Sequence, residues 1–232
     1  MATELADGVW WFDLRGVNAY LFDERINPGV ETGGGNVTLI DTGAPWTRRE
    51  LRRDLDDAGV ALRDVTRIAI THFDLDHVGG LSGLAFDAPI YAGEPDASIL
   101  RGERSPGWTN RKTAFQSTSN LLLPVPDLAV KTVSDGDVLD GLTGYETPGH
   151  TQGHVVYVSE DRSVAFVGDL VRESRGRLES SPWAMTDDQR DVRSSIRRLA
   201  SLDLDVDVIA MGHGTPFVER GNKHLADLAA RF

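Results

Sequence analysis

Histidine and aspartate are concentrated in one short stretch, THFDLDHVGG, which directly follows the apolar run RIAI. The stretch contains His72, Asp74, Asp76 and His77. Alternate positions of an extended segment share a face, so one loop of this composition can direct several side chains to one point. Imidazole and carboxylate ligands suit Zn²⁺, Mn²⁺ or Fe²⁺, and two such ions can lower the pKa of a bridging water to near neutrality. The stretch predicts a metal site, against the simpler interpretation of a polar, solvated loop.

Four further polar residues stand at the ends of apolar, strand-like runs. They are Asp41 in LIDTG, His150 in TPGHTQGH, Asp169 in AFVGDL and His213 in AMGHG. Strand ends and loops are where a rigid scaffold presents functional groups, so these residues are candidates for the same site.

The elements that must position these residues can be read from the hydrophobic pattern. Strands are predicted at 9–14, 17–23 and 36–41, and TRIAITH is a short buried strand that ends at the histidine-rich loop. A helix follows the third strand, with Thr47 and Glu50 as a capping box. Strands recur in the second half at AVKTV, GYETP, HVVYVS, SVAFVG and DVIAMGHG. Two similar halves rich in strands predict two sheets packed face to face with helices outside.

The polar clusters together resemble the metallo-β-lactamase superfamily. The family pattern is His-x-His-x-Asp-His, then a Pro-Gly-His-Thr turn, a Gly-Asp ending a strand and a Gly-His near the C-terminus. This chain shows HFDLDHVGG, TPGHTQGH, VGD and MGHG in that order, with DTG upstream. The resemblance implies an α/β fold, a four-layer αβ/βα sandwich of two mixed β-sheets flanked by helices, formed by residues 1–232 as a single domain.

The resemblance also implies one or two divalent metal ions, with zinc the first expectation. The implied ligands are His72, Asp74, Asp76, His77, His150, Asp169 and His213. Asp76, His77 and His213 would bind the second ion, and Asp169 would bridge both. Asp76 could also receive the proton of the attacking water, which makes it the candidate catalytic residue.

Asp74 departs from the family pattern, because it stands where a second histidine is usual. His72 and His150 would bind the first ion beside it. Three interpretations stay open: Asp74 ligates and favours Fe or Mn over Zn, it falls short and leaves the first site weak or empty, or it is structural. We expect a metal content below two per chain, or mixed in identity.

Two further residues would support the ligands rather than bind metal. The resemblance implies that Asp41 orients the ligand loop, although a plain turn residue remains an alternative. His154 is expected to hold the His150 turn by a hydrogen bond.

Composition narrows the context of this site. The formal charge is −12, with no cysteine, 25 Asp against 11 Glu and 21 Arg against 3 Lys. A very salty cytosol or a GC-rich genome would each explain this acidic, halophilic-like composition. A strongly acidic surface repels phosphate backbones, so nucleic acid is a less favoured partner. No apolar run is long enough for a membrane span and the N-terminus has no signal-peptide pattern, so we expect a cytoplasmic protein.

Two irregular segments, 101–126 and 170–185, are predicted lids. They offer Trp108, Arg111, Arg172 and Trp183 as substrate-binding residues. Aromatic walls with a few cations suit a small organic anion.

The leading functional prediction is a hydrolase of a small ester, thioester or lactone that uses a metal-bound hydroxide. A phosphodiesterase related to tRNA 3′-processing enzymes is the first alternative. A metal-binding protein with little or no catalysis is the second. The oligomeric state is not predicted.

Overall fold

A computed structural model describes residues 1–26, 35–105 and 127–232. The strands of the first half are β1 (Ala2–Ala6), β2 (Val9–Asp13), β3 (Asn18–Asp23), β4 (Val37–Ile40), β5 (Arg67–Ala69), β6 (Ile90–Gly93) and β7 (Val130–Val133). Among the described residues of this half, the helices are α1 (Arg48–Asp57), α2 (Leu75–Val78) and α3 (Asp96–Leu100). Two elements of the histidine-rich region, β5 and α2, are therefore very short and separated by an irregular loop.

The second half begins at β8. Its strands are β8 (Thr143–Glu146), β9 (Val155–Ser159), β10 (Val164–Gly168), β11 (Val171–Ser174), β12 (Arg177–Ser180) and β13 (Val208–Met211). Its helices are α4 (Gln189–Ser201) and α5 (Gly221–Ala229).

Both large sheets are mixed. Strands β1 to β7 form one sheet in chain order, antiparallel from β1 to β4 and parallel from β4 to β7. The second sheet has the order β13-β10-β9-β8, in which only β10 and β13 are parallel. Because they are parallel, β4, β5 and β6 have their C-terminal ends on the same side of the first sheet. The C-terminal ends of β10 and β13 likewise lie on the same side of the second sheet.

Successive side chains along a strand alternate between the face that packs on a helix and the face that packs on the other sheet. On β3, Ala19 and Leu21 belong to the core shared with α1, whereas Tyr20 and Phe22 face the second sheet. There the Tyr20 ring lies 5.4 Å from the Phe166 ring of β10. A period of two with both faces apolar is what a strand buried on both sides requires.

Helices cover the outer face of each sheet. Leu51 and Leu55 of α1 pack on the first sheet, and Val192 and Ile196 of α4 pack with Leu225 of α5 on the second. The resulting order, helix, sheet, sheet, helix, confirms the predicted α/β sandwich. No helix among the described residues is both long and apolar enough to cross a bilayer.

Two local predictions were wrong. Thr47 does precede α1, but its hydroxyl donates to the Ala44 carbonyl at 3.0 Å and caps no helix N–H. The segment after Asp169 is not irregular, because β11 and β12 form an antiparallel hairpin. Its turn residues, Arg175 and Gly176, both have positive φ, as a type I′ turn requires, and the arginine at the first of these positions concealed that turn from the sequence.

Candidate metal centre

The predicted ligands lie at the C-terminal ends of strands or on the loops that follow. His72 and Asp74 follow β5, and Asp76 and His77 lie on the short helix α2. In the second half, the ligands follow β8, β10 and β13: they are His150, Asp169 and His213. The two sheets bring their strand ends to the same side of the sandwich, so residues far apart in the chain meet there.

One group of ligand atoms, which we call the first site, consists of His72, Asp74 and His150. The Asp74 Oδ2 atom lies 3.0 Å from His150 Nε2 and 3.4 Å from His72 Nε2. All three side chains are buried. Asp74 therefore lies beside both histidines of this group, and whether it ligates a metal ion stays a prediction.

A second group, which we call the second site, consists of Asp76, His77 and His213. His213 Nε2 lies 3.4 Å from Asp76 Oδ2. His77 is fully buried, whereas the side chains of Asp76 and His213 are 35% and 34% exposed. Solvent and small molecules can therefore reach the centre from the second site.

Asp169 lies between the two sites. Its Oδ1 atom is 3.6 Å from His77 Nε2, and its Oδ2 atom is 3.3 Å from His213 Nε2 and 3.6 Å from His150 Nε2. The carboxylate thus approaches His77 and His213 of the second site and His150 of the first, which is the position of a bridging ligand.

Asp41 is fully engaged in orienting the ligands. Its Oδ1 atom accepts a hydrogen bond from Thr71 N at 2.8 Å, and its Oδ2 atom accepts from Thr71 Oγ1 at 2.7 Å and from His77 Nδ1 at 2.9 Å. Since the Thr71 hydroxyl donates to Asp41, it accepts from His72 Nδ1 at 2.9 Å. Both histidines therefore carry a proton on Nδ1 and direct Nε2 into the centre.

His213 is oriented in the same way by the first sheet. Its Nδ1 atom donates to the Gly16 carbonyl at 2.7 Å, which again leaves Nε2 facing Asp76 and Asp169. The residue before it is a glycine because a Cβ on Gly212 would clash with Asp169 Oδ1.

Unsatisfied polar atoms show that the centre fits a cation. His72 Nε2, His77 Nε2 and Asp169 Oδ1 are buried and have no hydrogen-bond partner among the described residues. Buried polar atoms without partners cost free energy, and all three belong to side chains that line the region between the sites. A divalent metal ion would satisfy them, and nitrogen with carboxylate oxygen is a donor set that such ions accept.

The electrostatics of the ligands agree with this fit. Burial lowers the pKa of His72 to about 4. Burial also opposes the charge on His77, but the carboxylates of Asp169, Asp41 and Asp76 outweigh it and raise the pKa of His77 to about 9. Without a metal, the His77 imidazole is therefore protonated on both nitrogens, and a bound cation would replace the proton on Nε2.

Sequence and structure comparisons identify the family. The sequence model of the metallo-beta-lactamase superfamily matches residues 13–213. The chain belongs to this superfamily. It is therefore a hydrolase of the metallo-β-lactamase fold, and the prediction made from the five motifs is confirmed.

Three similar proteins each match nearly the whole length of this chain. A probable metallo-hydrolase of Bacillus subtilis, YflN, is 24% identical, with 98% of this chain and 92% of that protein covered. The human acyl-coenzyme A thioesterase MBLAC2 is 27% identical over 98% of this chain and 85% of its own. Among solved structures, the metallo-beta-lactamase family protein TTHA1429 of Thermus thermophilus matches with a TM-score of 0.69 and 26% identity, covering 98% of this chain and 80% of that one.

Of the remaining predicted site residues, His154 packs against a ligand, and no contact joins Arg172 or Trp183 to the ligands among the described residues. His154 is buried, its Nδ1 atom lies 2.8 Å from Thr147 Oγ1, and its ring stacks on His72 at 5.3 Å. Arg172 is exposed on β11, and Trp183 is 76% exposed before α4. Trp108 and Arg111 lie outside the described residues, so their substrate-binding role stays a prediction.

Two residues that support this site were missed at the sequence level. Asn18 Nδ2 donates to the carbonyls of Met211 and Gly214 at 2.9 and 2.7 Å, and thereby holds the chain on both sides of His213. Asp96 accepts hydrogen bonds from the loops of both His72 and His150. Neither residue lies in a motif, and only their burial in the folded chain reveals them.

Proposed function

We propose that the protein is a metal-dependent hydrolase of a small ester, thioester or lactone. The observation that carries this proposal is the convergence of two three-residue ligand groups on one shared carboxylate, Asp169. The name of MBLAC2, an acyl-coenzyme A thioesterase, supports the thioester among these three substrate classes.

Metal ions held in the two sites would supply a water of lowered pKa as nucleophile and positive charge for the developing oxyanion. The chain itself orients the ligands and provides the proton acceptor. Asp76 suits that role because its partly exposed carboxylate lies at the open side of the centre, 3.4 Å from His213 Nε2. The closed side, formed by His72, His77 and His150, excludes water from the ligands.

Asp74 is proposed to be a ligand of the first site. With it, the two sites contain three carboxylates, Asp74, Asp76 and Asp169, where a histidine at position 74 would leave two. The additional negative charge and the oxygen donor both favour a harder ion, so iron or manganese competes with zinc there.

The hairpin of β11 and β12 is proposed as one wall of the substrate cleft. It lies against the residue after His213, because a Cβ on Gly214 would be 3.0 Å from the Cβ atom of Glu173 on β11. Arg172 precedes that contact, and Trp183 follows the hairpin. Arg172 and Trp183 are both exposed, and an exposed cation and an exposed aromatic ring suit a small anionic acyl substrate rather than a nucleic acid.

The proposal is tested by purifying the full chain with defined metal and assaying thioester, ester, lactone and phosphodiester substrates. We expect hydrolysis of at least one of the first three, lost on chelation and restored by metal. Activity on the phosphodiester alone would contradict the proposal. Activity that appears only in an Asp74→His variant would instead indicate a metal-binding protein without catalysis.

The anionic substrate is tested separately with Arg172→Ala. Loss of a charge-assisted contact should raise KM for an anionic ester by about tenfold and leave kcat nearly unchanged. Arg175→Ala is the matched control, because that arginine lies at the turn of the same hairpin. Equal KM values for wild type and Arg172→Ala would refute the cation's role.

A further inference from the structure

We propose that Asp96 is a positioning residue that connects the two loops of the first site and thereby sets its metal affinity. This inference rests on the proposed metal-dependent function. The Asp96 Oδ2 atom accepts a hydrogen bond from Phe73 N at 2.8 Å and from Thr151 Oγ1 at 2.8 Å. Phe73 lies between His72 and Asp74 in the chain, and Thr151 directly follows His150.

Asp96 belongs to neither loop. It is the first residue of α3, which follows β6 of the first sheet, whereas His150 lies in the second half between β8 and β9. A single carboxylate, 3% exposed, thus connects the two loops that present the ligands of the first site. Hydrogen bonds to an ionised acceptor are about twice as strong as neutral ones, so one oxygen can hold both loops.

The space around Asp96 supports the same role. A Cβ on Gly153 would lie 2.6 Å from Asp96 Cγ and 2.6 Å from Asp96 N. The turn that contains His150 can therefore approach Asp96 this closely only because position 153 is glycine. Burial of the carboxylate, its two donors and this close approach are independent features that all place the His150 turn on α3.

The second site has different supports. His77 is held by Asp41, and His213 is held by Gly16 and by the bonds of Asn18 to the adjacent chain. Removing Asp96 should therefore weaken the first site and spare the second. A residue that merely stabilises the fold would affect both sites alike.

The experiment measures metal affinity, not activity. Metal-free full-length protein is titrated with Zn²⁺ in competition with a chromophoric chelator, and His150→Ala and His213→Ala assign the two binding steps. Asp96→Ala and Thr151→Val should weaken the first-site step at least tenfold, the size expected when a residue that orients a ligand is lost. Thr151→Ser, which keeps the hydroxyl, should stay within about threefold of wild type, and Asp96→Asn, which keeps only a neutral acceptor, should lie between wild type and Asp96→Ala.

Asp23→Ala is the matched control. Asp23 is also buried and also accepts a backbone N–H, that of Arg25 at 3.0 Å, but it pairs with Val37 at the start of β4, the end opposite Asp41. It should leave both binding steps unchanged. If Asp96→Ala does not fold, Thr151→Val carries the same expectation, because it removes only one of the two hydrogen bonds.

Three results would overturn the inference. The first is wild-type affinity at the first site in folded Asp96→Ala or Thr151→Val. The second is equal weakening of both sites, or weakening by Asp23→Ala, which would reduce Asp96 to a general structural role. The third is wild-type protein that binds no metal, which would refute the metal centre itself and is distinguishable because it appears before any variant is made.

Discussion

Replacing Asp41 with asparagine tests whether the hydrogen bonds around the ligands decide which nitrogen faces the metal. The asparagine carbonyl can keep the bond from Thr71 N, but its amide replaces the oxygen that accepts from Thr71 Oγ1 and from His77 Nδ1. The Thr71 hydroxyl can rotate. The His77 Nδ1–H cannot, so it either stays unsatisfied or the proton moves to Nε2, where it blocks metal binding.

The magnitude follows from the bonds that are lost. Hydrogen bonds to a charged acceptor contribute about 1.5–3 kcal/mol each, so losing two of three at a buried carboxylate should lower the free energy of unfolding by about 3–6 kcal/mol. Loss of an orienting partner typically weakens metal binding about 10–100-fold. The second site should be affected most, because His77 contacts Asp41 directly whereas His72 contacts it through Thr71.

The assay combines urea unfolding of the metal-free protein with chelator competition for the metal-bound one. Thr71→Ser is the control, since it keeps the hydroxyl that donates a hydrogen bond to Asp41 and accepts one from His72. If Asp41→Asn binds metal at the second site within threefold of the wild-type affinity, then the hydrogen bonds do not control the tautomers and the reasoning fails.

Three further predictions concern the metal content, the bridge and the pH dependence. Elemental analysis of protein purified without added metal should find fewer than two ions per chain or a mixture of metals. Two firmly bound zinc ions per chain would contradict the proposed role of Asp74. The variant Asp74→His should shift the metal content toward zinc. Gly212→Ala should lower kcat/KM about a hundredfold with little change in far-UV circular dichroism. The reason is that the alanine Cβ would clash with Asp169 Oδ1 and displace the Asp169 carboxylate. Unchanged activity would argue against a bridging role of Asp169. Burial, assisted by the charges of Asp74 and Asp187, raises the pKa of Asp96 from 3.8 to about 6. The folded protein therefore binds this proton more tightly than the unfolded chain does. As a result, the free energy of unfolding falls as the pH rises from about 4 to about 6. Relative to Asp96→Asn, the wild type should therefore gain about 1 kcal/mol between pH 8 and pH 5 by urea unfolding, and a constant difference would refute the shift.

Much of the fold could be predicted because the signals are local. Strands such as β3 and β10 are apolar on both faces, so their burial and their place between two layers can be read from consecutive residues. The hydrogen bonding at the start of α1 could not be read in this way. Thr47 has the right type and spacing for a cap, yet its hydroxyl finds the Ala44 carbonyl first, because the preceding loop folds back within hydrogen-bonding distance.

The residues that meet at the centre could be predicted from the chain because five short motifs, most of them at strand ends, match the family pattern in order. How those residues are held depends on the folded arrangement. Whether Asp74 reaches His150 depends on a contact across 76 residues, and the hydrogen bonds from Thr151 to Asp96 and from Asn18 to Met211 join residues 55 and 193 positions apart. Such pairings cannot be predicted from local sequence, because tertiary packing decides which donor lies beside a buried acceptor.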